Sequence, residues 1–314
     1  ISLLFEAPSI GSCAEAIRRA RGDAARVEAD PGAPVRALEP RYRHLVPMHP
    51  GQGGDKSPFF LVAGMFGNVL NLRHLAHLLG NERRFFGLQA LGLYGTQQPH
   101  ETIEEMAAAY VAELRSVCPH GPYLLGGFSG GGITAFEMSR QIRAAGETVG
   151  VLVMLDTYLP QAPPLSASDR AKIHWDRLRT QGPVYASEWV RNRLRWEIGK
   201  IRKLRDPHDP LLPSEFRSEE VGAAFRRAIG RYELQTYEGQ ITLFRPKLAI
   251  AHVLGPGRVT NAKRQLIYED NGWGPYCRRV DVHEVPGDHD SMVLEPNVRV
   301  LASRLRKCIQ AVER

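Results

Sequence analysis

Apolar positions along the chain switch between two spacings in a repeating order. Residues 59–63 form a short unbroken apolar run, the mark of a buried strand. Apolar residues in 69–79 recur at helical spacing, and 84–89 predicts a second strand. The stretch 102–117 predicts a helix with Ile103, Met106, Ala107, Tyr110, Val111 and Leu114 on one face. A strand at 122–126, a helix at 131–145 and a continuous apolar strand at 149–155 follow. Unbroken apolar strands suit a parallel sheet covered on both faces. Strand and helix in alternation predict an α/β fold.

The alternation stops between residues 160 and 239, a largely helical, arginine-rich stretch holding Trp175, Trp189 and Trp196. Strands resume at 240–244 and 279–285, and a last helix is predicted over 296–312. Before the first strand, 1–21 reads as short helical material. Residues 22–57 carry several prolines and glycines and read as a linker. The expected organisation is therefore a sheet domain over 58–314 with a helical insertion at about 160–239.

Within that frame the sharpest motif is Gly127-Phe128-Ser129-Gly130-Gly131. A bare G-x-S-x-G can arise by chance. Here it sits between a predicted strand and a predicted helix, the setting of a nucleophile elbow in an α/β-hydrolase fold. So sharp a turn leaves room only for small neighbours, and the following helix N-terminus favours negative charge beside the serine.

A serine hydroxyl needs a base, and in this fold the chain order is Ser, then Asp or Glu, then His. Asp156 follows the strand 149–155 directly, which places it at the same sheet edge. Asp169, Asp206, Asp209 and Asp270 have no clear strand before them. His289 lies in Val285-Pro286-Gly287-Asp288-His289, just past a strand. By contrast, His74, His77 and His174 fall in helices, His44 and His49 in the linker, and His283 inside a strand. The oxyanion hole of such a site uses the amide after the nucleophile and one from the loop after an early strand. Those are Gly130 and, in Gly64-Met65-Phe66-Gly67, Met65.

Composition narrows the classes. The formal charge is +7, but the basic residues are scattered and show no aromatic-plus-basic motif, so nucleic acid is not an expected partner. Four cysteines, Cys13, Cys118, Cys277 and Cys308, lie far apart with no CxxC. That predicts neither zinc nor a disulfide scaffold and fits a reducing cytoplasm. No apolar run reaches membrane-spanning length and no signal peptide is visible. The chain opens on Ile1 rather than methionine, which predicts a part of a longer protein.

These residues resemble the thioesterase domains that end nonribosomal peptide synthetases and modular polyketide synthases. The most specific segments are Leu125-Gly126-Gly127-Phe128-Ser129-Gly130-Gly131 and Val285-Pro286-Gly287-Asp288-His289. Pro58 to Ala76, Val151 to Tyr158, Gln240 to Phe244 and Asn271 to Leu294 add to the likeness. One departure is Gly130, where many members carry a bulkier residue. Leu3-Leu4-Phe5-Glu6-Ala7-Pro8-Ser9-Ile10 is similar to the end of an acyl or peptidyl carrier domain.

The resemblance implies a triad of Ser129, Asp156 and His289 and a lid over 160–239. It implies no cofactor bound by the domain itself. The substrate would be an acyl or peptidyl thioester held on the phosphopantetheine of an upstream carrier in the same polypeptide, and it would leave by hydrolysis or macrocyclisation. Lid arginines such as Arg177, Arg179, Arg191, Arg193 and Arg195 are either a solvated helix face or a carrier-docking surface. The other readings are a stand-alone carboxylesterase or editing thioesterase, and a non-catalytic docking module.

Overall fold

A computed structural model describes residue 15 and residues 42–52, 56–80, 82–94, 96–160, 164–182, 217–256, 258–262 and 265–313. The carrier-like segment 1–21, apart from residue 15, lies outside the described residues, as do Trp189, Trp196, Arg191, Arg193 and Arg195. The chain divides into two compact units, one of residues 1–160, 216–247 and 270–314, the other of residues 161–215 and 248–269.

The first unit is built on a seven-stranded sheet. Its strands are β1 (Leu45–His49), β2 (Phe59–Val62), β3 (Phe85–Leu88), β4 (Tyr123–Phe128), β5 (Val149–Leu155), β6 (Tyr237–Pro246) and β10 (Cys277–Val285). They lie in the order β1-β3-β2-β4-β5-β6-β10. β1 is antiparallel to β3, and every other pairing is parallel. Around the sheet lie α1 (Arg73–Gly80), α2 (Ile103–Val117), α3 (Gly131–Ala144), α5 (Ser218–Arg231) and α6 (Val298–Val312).

Successive strand residues point to opposite faces, and each face has its own core. Phe60, Val62, Leu125, Leu152 and Met154 pack with Ile103, Tyr110 and Leu114 of α2 and Phe136 of α3. Phe59, Leu61, Leu124, Val151 and Val153 pack with Leu75 and Leu79 of α1 and Leu301, Leu305 and Ile309 of α6. Burial on both faces explains why these strands are apolar throughout. Thr102 starts α2 by accepting the Glu105 amide on its side chain.

The strands and helices expected at 59–63, 84–89, 102–117, 122–126, 131–145, 149–155, 240–244, 279–285 and 296–312 are present with small differences at their ends. Two expectations are corrected. Within the stretch 22–57 expected as a linker, Leu45–His49 form β1, a strand of the sheet. Leu45, Val46 and Met48 are buried there, and Pro47 is tolerated because β1 is an edge strand. The insertion expected over 160–239 also divides. Helix α5 belongs to the sheet unit, because Val221, Ala224, Phe225 and Ala228 are buried within it.

The second unit contains α4 (Ala167–Gln181), started by a capping box between Ser166 and Asp169. Its small antiparallel sheet joins β7 (His252–Gly255), β8 (Arg258–Thr260) and β9 (Leu266–Ile267). Arg258 pairs with Asp169 at 2.6 Å, and Lys172 donates to the Leu254 carbonyl at 2.9 Å. Trp175 of α4 is exposed.

Strand β1 depends on one carboxylate from α2. Glu113 accepts the backbone amides of Arg43 at 2.5 Å, His44 at 2.7 Å and Leu45 at 2.7 Å. Three donors on one anion are charge-assisted bonds. Glu113→Ala is expected to destabilise the protein by about 2 kcal/mol, read as a lower urea midpoint at unchanged slope. An unchanged midpoint would mean that water replaces the carboxylate at no cost.

Candidate active site

The elbow forms because glycines on either side of it, in β4 and at the start of α3, admit a close turn. A methyl group added to Gly127 would stand 2.2 Å from the Gly131 carbonyl oxygen, and one added to Gly131 would stand 2.2 Å from that of Ala63. Ser129 between them has a φ of +53°, a left-handed conformation that is strained for a serine. Its amide still bonds to the Leu155 carbonyl at 2.8 Å, so the turn stays stitched to β5.

Asp156 caps β5 in the same way. Its φ is +48°, its amide donates to the Phe244 carbonyl at 2.7 Å, and it is 2% exposed. The next side chain, Thr157, donates from Oγ1 to the Ser129 carbonyl at 2.8 Å and ties the two turns together.

His289 comes from the loop after β10. That loop is held by Asp288, which accepts the Ser291 amide at 2.9 Å, and by Asn297, which donates to the Ser291 carbonyl at 3.2 Å. His289 Nδ1 lies 2.7 Å from Asp156 Oδ2, and Nε2 lies 2.9 Å from Ser129 Oγ. A carboxylate can only accept, so the proton on the ring sits at Nδ1 and Nε2 is left to accept from the serine hydroxyl. The Phe128 ring stacks on the imidazole, with centroids 5.3 Å apart. The hydrogen bond to Asp156 pushes the His289 pKa above its ordinary value, against burial, which works the other way.

Asp156, expected from its place after β5, is thus the aspartate that meets His289. The competing Asp169 is engaged with Ser166 and Arg258, and Asp270 accepts the amides of Gly272 and Gly274, both at 2.8 Å. Asp206 and Asp209 lie outside the described residues.

Met65 sits in the turn after β2, closed by a 2.8 Å bond from the Gly67 amide to the Gly64 carbonyl. The two proposed oxyanion residues lie side by side, since a methyl group on Gly130 would be 3.4 Å from Met65 Cβ. It would also be 2.6 Å from the Phe225 ring of α5, so Phe225 fills the space that a side chain at 130 would take. Sequence reasoning did not find Phe225, because one aromatic on a helical face carries no sign of what it faces. It also passed over Asn271, which reaches Asp156 and whose only signal is an Asn-Gly pair typical of turns. No group of His, Cys, Asp and Glu among the described residues is placed to hold a metal ion.

Comparison with known proteins gives the family. Residues 58–308 match the thioesterase domain family. The chain belongs to that family. It is a thioesterase domain of the α/β-hydrolase fold and of the serine-hydrolase type. It is 36% identical over 316 residues to indigoidine synthase of Dickeya dadantii (strain 3937), covering 96% of this chain and 19% of that protein.

Among solved structures, the NocB thioesterase domain in covalent complex with a fluorophosphonate nocardicin G analogue is 25% identical with a TM-score of 0.54. The match covers 81% of this chain and 95% of that one. A four-domain nonribosomal peptide synthetase, holo-AB3403 bound to AMP and glycine, shares the fold at a TM-score of 0.60 and 24% identity. That match covers 97% of this chain and 22% of the other. The chain therefore spans about a fifth of the length of each of these two larger proteins.

In an NMR titration, His289 is expected to take up its proton at higher pH than a free imidazole. Asp156→Asn removes the largest raising influence and leaves burial against the weaker pull of Asp288 and Asp290, so the midpoint should fall below that of wild type. An unmoved midpoint would show that Asp156 does not set the charge of the ring.

Proposed function

We propose that this thioesterase domain releases an acyl or peptidyl chain from the phosphopantetheine arm of an upstream carrier domain, through an ester on Ser129. The observation that carries the reading is the Asp156–His289–Ser129 relay, with its 2.7 and 2.9 Å contacts, in a chain of this family. Ser129 Oγ attacks the thioester carbonyl while His289 Nε2 takes the hydroxyl proton. Asp156 holds the ring in the tautomer that can accept it and stabilises the imidazolium that forms. The amides of Met65 and Gly130 receive the oxyanion, each such donor being worth about 3 kcal/mol in the transition state. The carbon–sulfur bond breaks, and His289 returns the proton to the departing thiolate.

The acyl-serine then meets a second nucleophile. Water gives a free acid, and an amine or hydroxyl of the chain itself gives a macrocycle. In both cases His289 takes the nucleophile's proton and returns it to Ser129. The domain supplies this chemistry with side chains and backbone alone, and phosphopantetheine belongs to the substrate.

The match to multidomain synthetases along nearly the whole chain supports reading 1–21 as the end of the carrier and the stretch from 22 to the start of β1 as the linker. Cys118, Cys277 and Cys308 are free thiols, which supports a cytoplasmic setting.

Incubation with a panel of acyl- and peptidyl-pantetheine thioesters tests the assignment, with thiol release and intact mass followed together. Wild type is expected to release thiol through a transient acyl adduct. Ser129→Ala should lose the adduct and leave only residual turnover, lower by several orders of magnitude. The product mass separates acid from macrocycle. Cleavage of simple oxygen esters with no action on any thioester would overturn the carrier-release reading in favour of a general esterase.

A further inference from the structure

Three non-glycine residues among those described have a left-handed backbone: Ser129, Asp156 and Asn271. The first two are the proposed nucleophile and the proposed acid of the relay. The third, with a φ of +52°, is 2% exposed, and its side chain lies against Asp156. Asn271 Nδ2 donates to Asp156 Oδ1 at 3.3 Å and to the Thr157 carbonyl at 3.2 Å. Trp273 Nε1 donates to the same carbonyl at 2.9 Å.

The direction of the Asn271 amide follows from its neighbours. The Asp156 carboxylate and the Thr157 carbonyl only accept, so the NH2 group must face them both. The cost is Asn271 Oδ1, which is buried with no hydrogen-bond partner among the described residues. A glycine would satisfy the backbone angle without burying that oxygen. What asparagine adds at this position is the donor.

We propose that Asn271 is a positioning residue for the thioesterase reaction, holding Oδ1 of the Asp156 carboxylate so that Oδ2 stays aimed at His289 Nδ1. The assignment rests on the reading of Ser129, Asp156 and His289 as a triad. With both oxygens engaged, the carboxylate cannot swing about its last torsion, and the imidazole keeps the orientation that the serine needs. The other ionisable groups around this pair are Tyr158, which also reaches Asp156, Arg245 beside Tyr158, and Asp288 and Asp290 beside His289.

The test uses a fluorophosphonate that phosphonylates activated serines, so that it needs no knowledge of the acyl chain. Fluoride leaves as the Ser129 Oγ–phosphorus bond forms. Labelling rates are measured against pH for wild type, Asn271→Gly and Asn271→Asp, with thermal melting followed in parallel. Asn271→Gly keeps the backbone and removes the donor, whereas Asn271→Asp keeps the shape and puts an acceptor in the donor's place.

Both variants are expected to melt cooperatively and to label about tenfold to a hundredfold more slowly, the scale of a small misplacement of reacting groups. In Asn271→Asp the acid limb should also move to higher pH, because added negative charge favours the imidazolium. Wild-type rates with an unmoved acid limb would overturn the proposal. So would a loss that simply follows the fraction unfolded and leaves the acid limb of Asn271→Asp in place. Wild type that is not labelled at Ser129 would instead overturn the hydrolase reading, and this inference with it.

Discussion

A carboxylate withdrawn from water must have its charge answered by fixed donors, and the active end of this domain is arranged around one such group. Asp156 is almost wholly buried. Its backbone is pinned to β6, its Oδ2 to His289 and its Oδ1 to Asn271. Thr157, next in the chain, fastens the same turn to the carbonyl of Ser129. The relay is therefore not three side chains that happen to meet. It is one knot joining the ends of β4, β5 and β6 to the loops around β10. The strained angles at Ser129 and Asp156 persist because so many surrounding bonds fix them.

A second buried carboxylate does comparable work for α5. Glu137 of α3 is buried and accepts from Tyr232 at 2.8 Å, Arg140 at 2.6 Å and Gln141 at 3.0 Å. Tyr232 ends α5, so this network holds the C-terminal end of that helix to the elbow helix. At the other end the Arg217 amide donates to the Leu93 carbonyl at 3.2 Å, and along the helix Arg227 pairs with Glu101 at 2.8 Å. With both ends anchored, Phe225 stays over Gly130 and Gly222 admits the Phe66 ring. The missing side chain at 130 and the aromatic at 225 are two halves of one packing solution.

Much of this was legible in the sequence, and the reason is periodicity. Strands covered on both faces are unbroken apolar runs, and α2 and α6 show clear apolar faces. Ser129 and Asp156 could be read because each directly follows a strand, and His289 because it lies in the loop just past one, relations that survive without coordinates. The failures share a cause too. β1 is short, contains Pro47 and is secured by a glutamate 68 residues away from Leu45, none of which its own composition reveals. β7 to β9 are strands of only two to four residues, too short for a strand period to show. Asn271 and Phe225 act by what they touch across the fold, and no local pattern reports a contact 115 residues distant such as that from Asn271 to Asp156.

The antiparallel course of β1 has one more consequence. Leu45 pairs with Leu88, Leu88 with Val62, and Val62 with Gly127, so a single row of residues crosses the sheet from the start of β1 to the threshold of the elbow. Three strand spacings make that row roughly 14 Å long. A parallel β1 would have brought the preceding chain in at the far edge of the sheet, a strand's length from the serine. As built, Leu45 opens β1 at the reacting edge of the sheet. On the carrier-release proposal, a thioester tethered upstream of β1 would meet Ser129 at a rate set by tether length rather than by its concentration in solution.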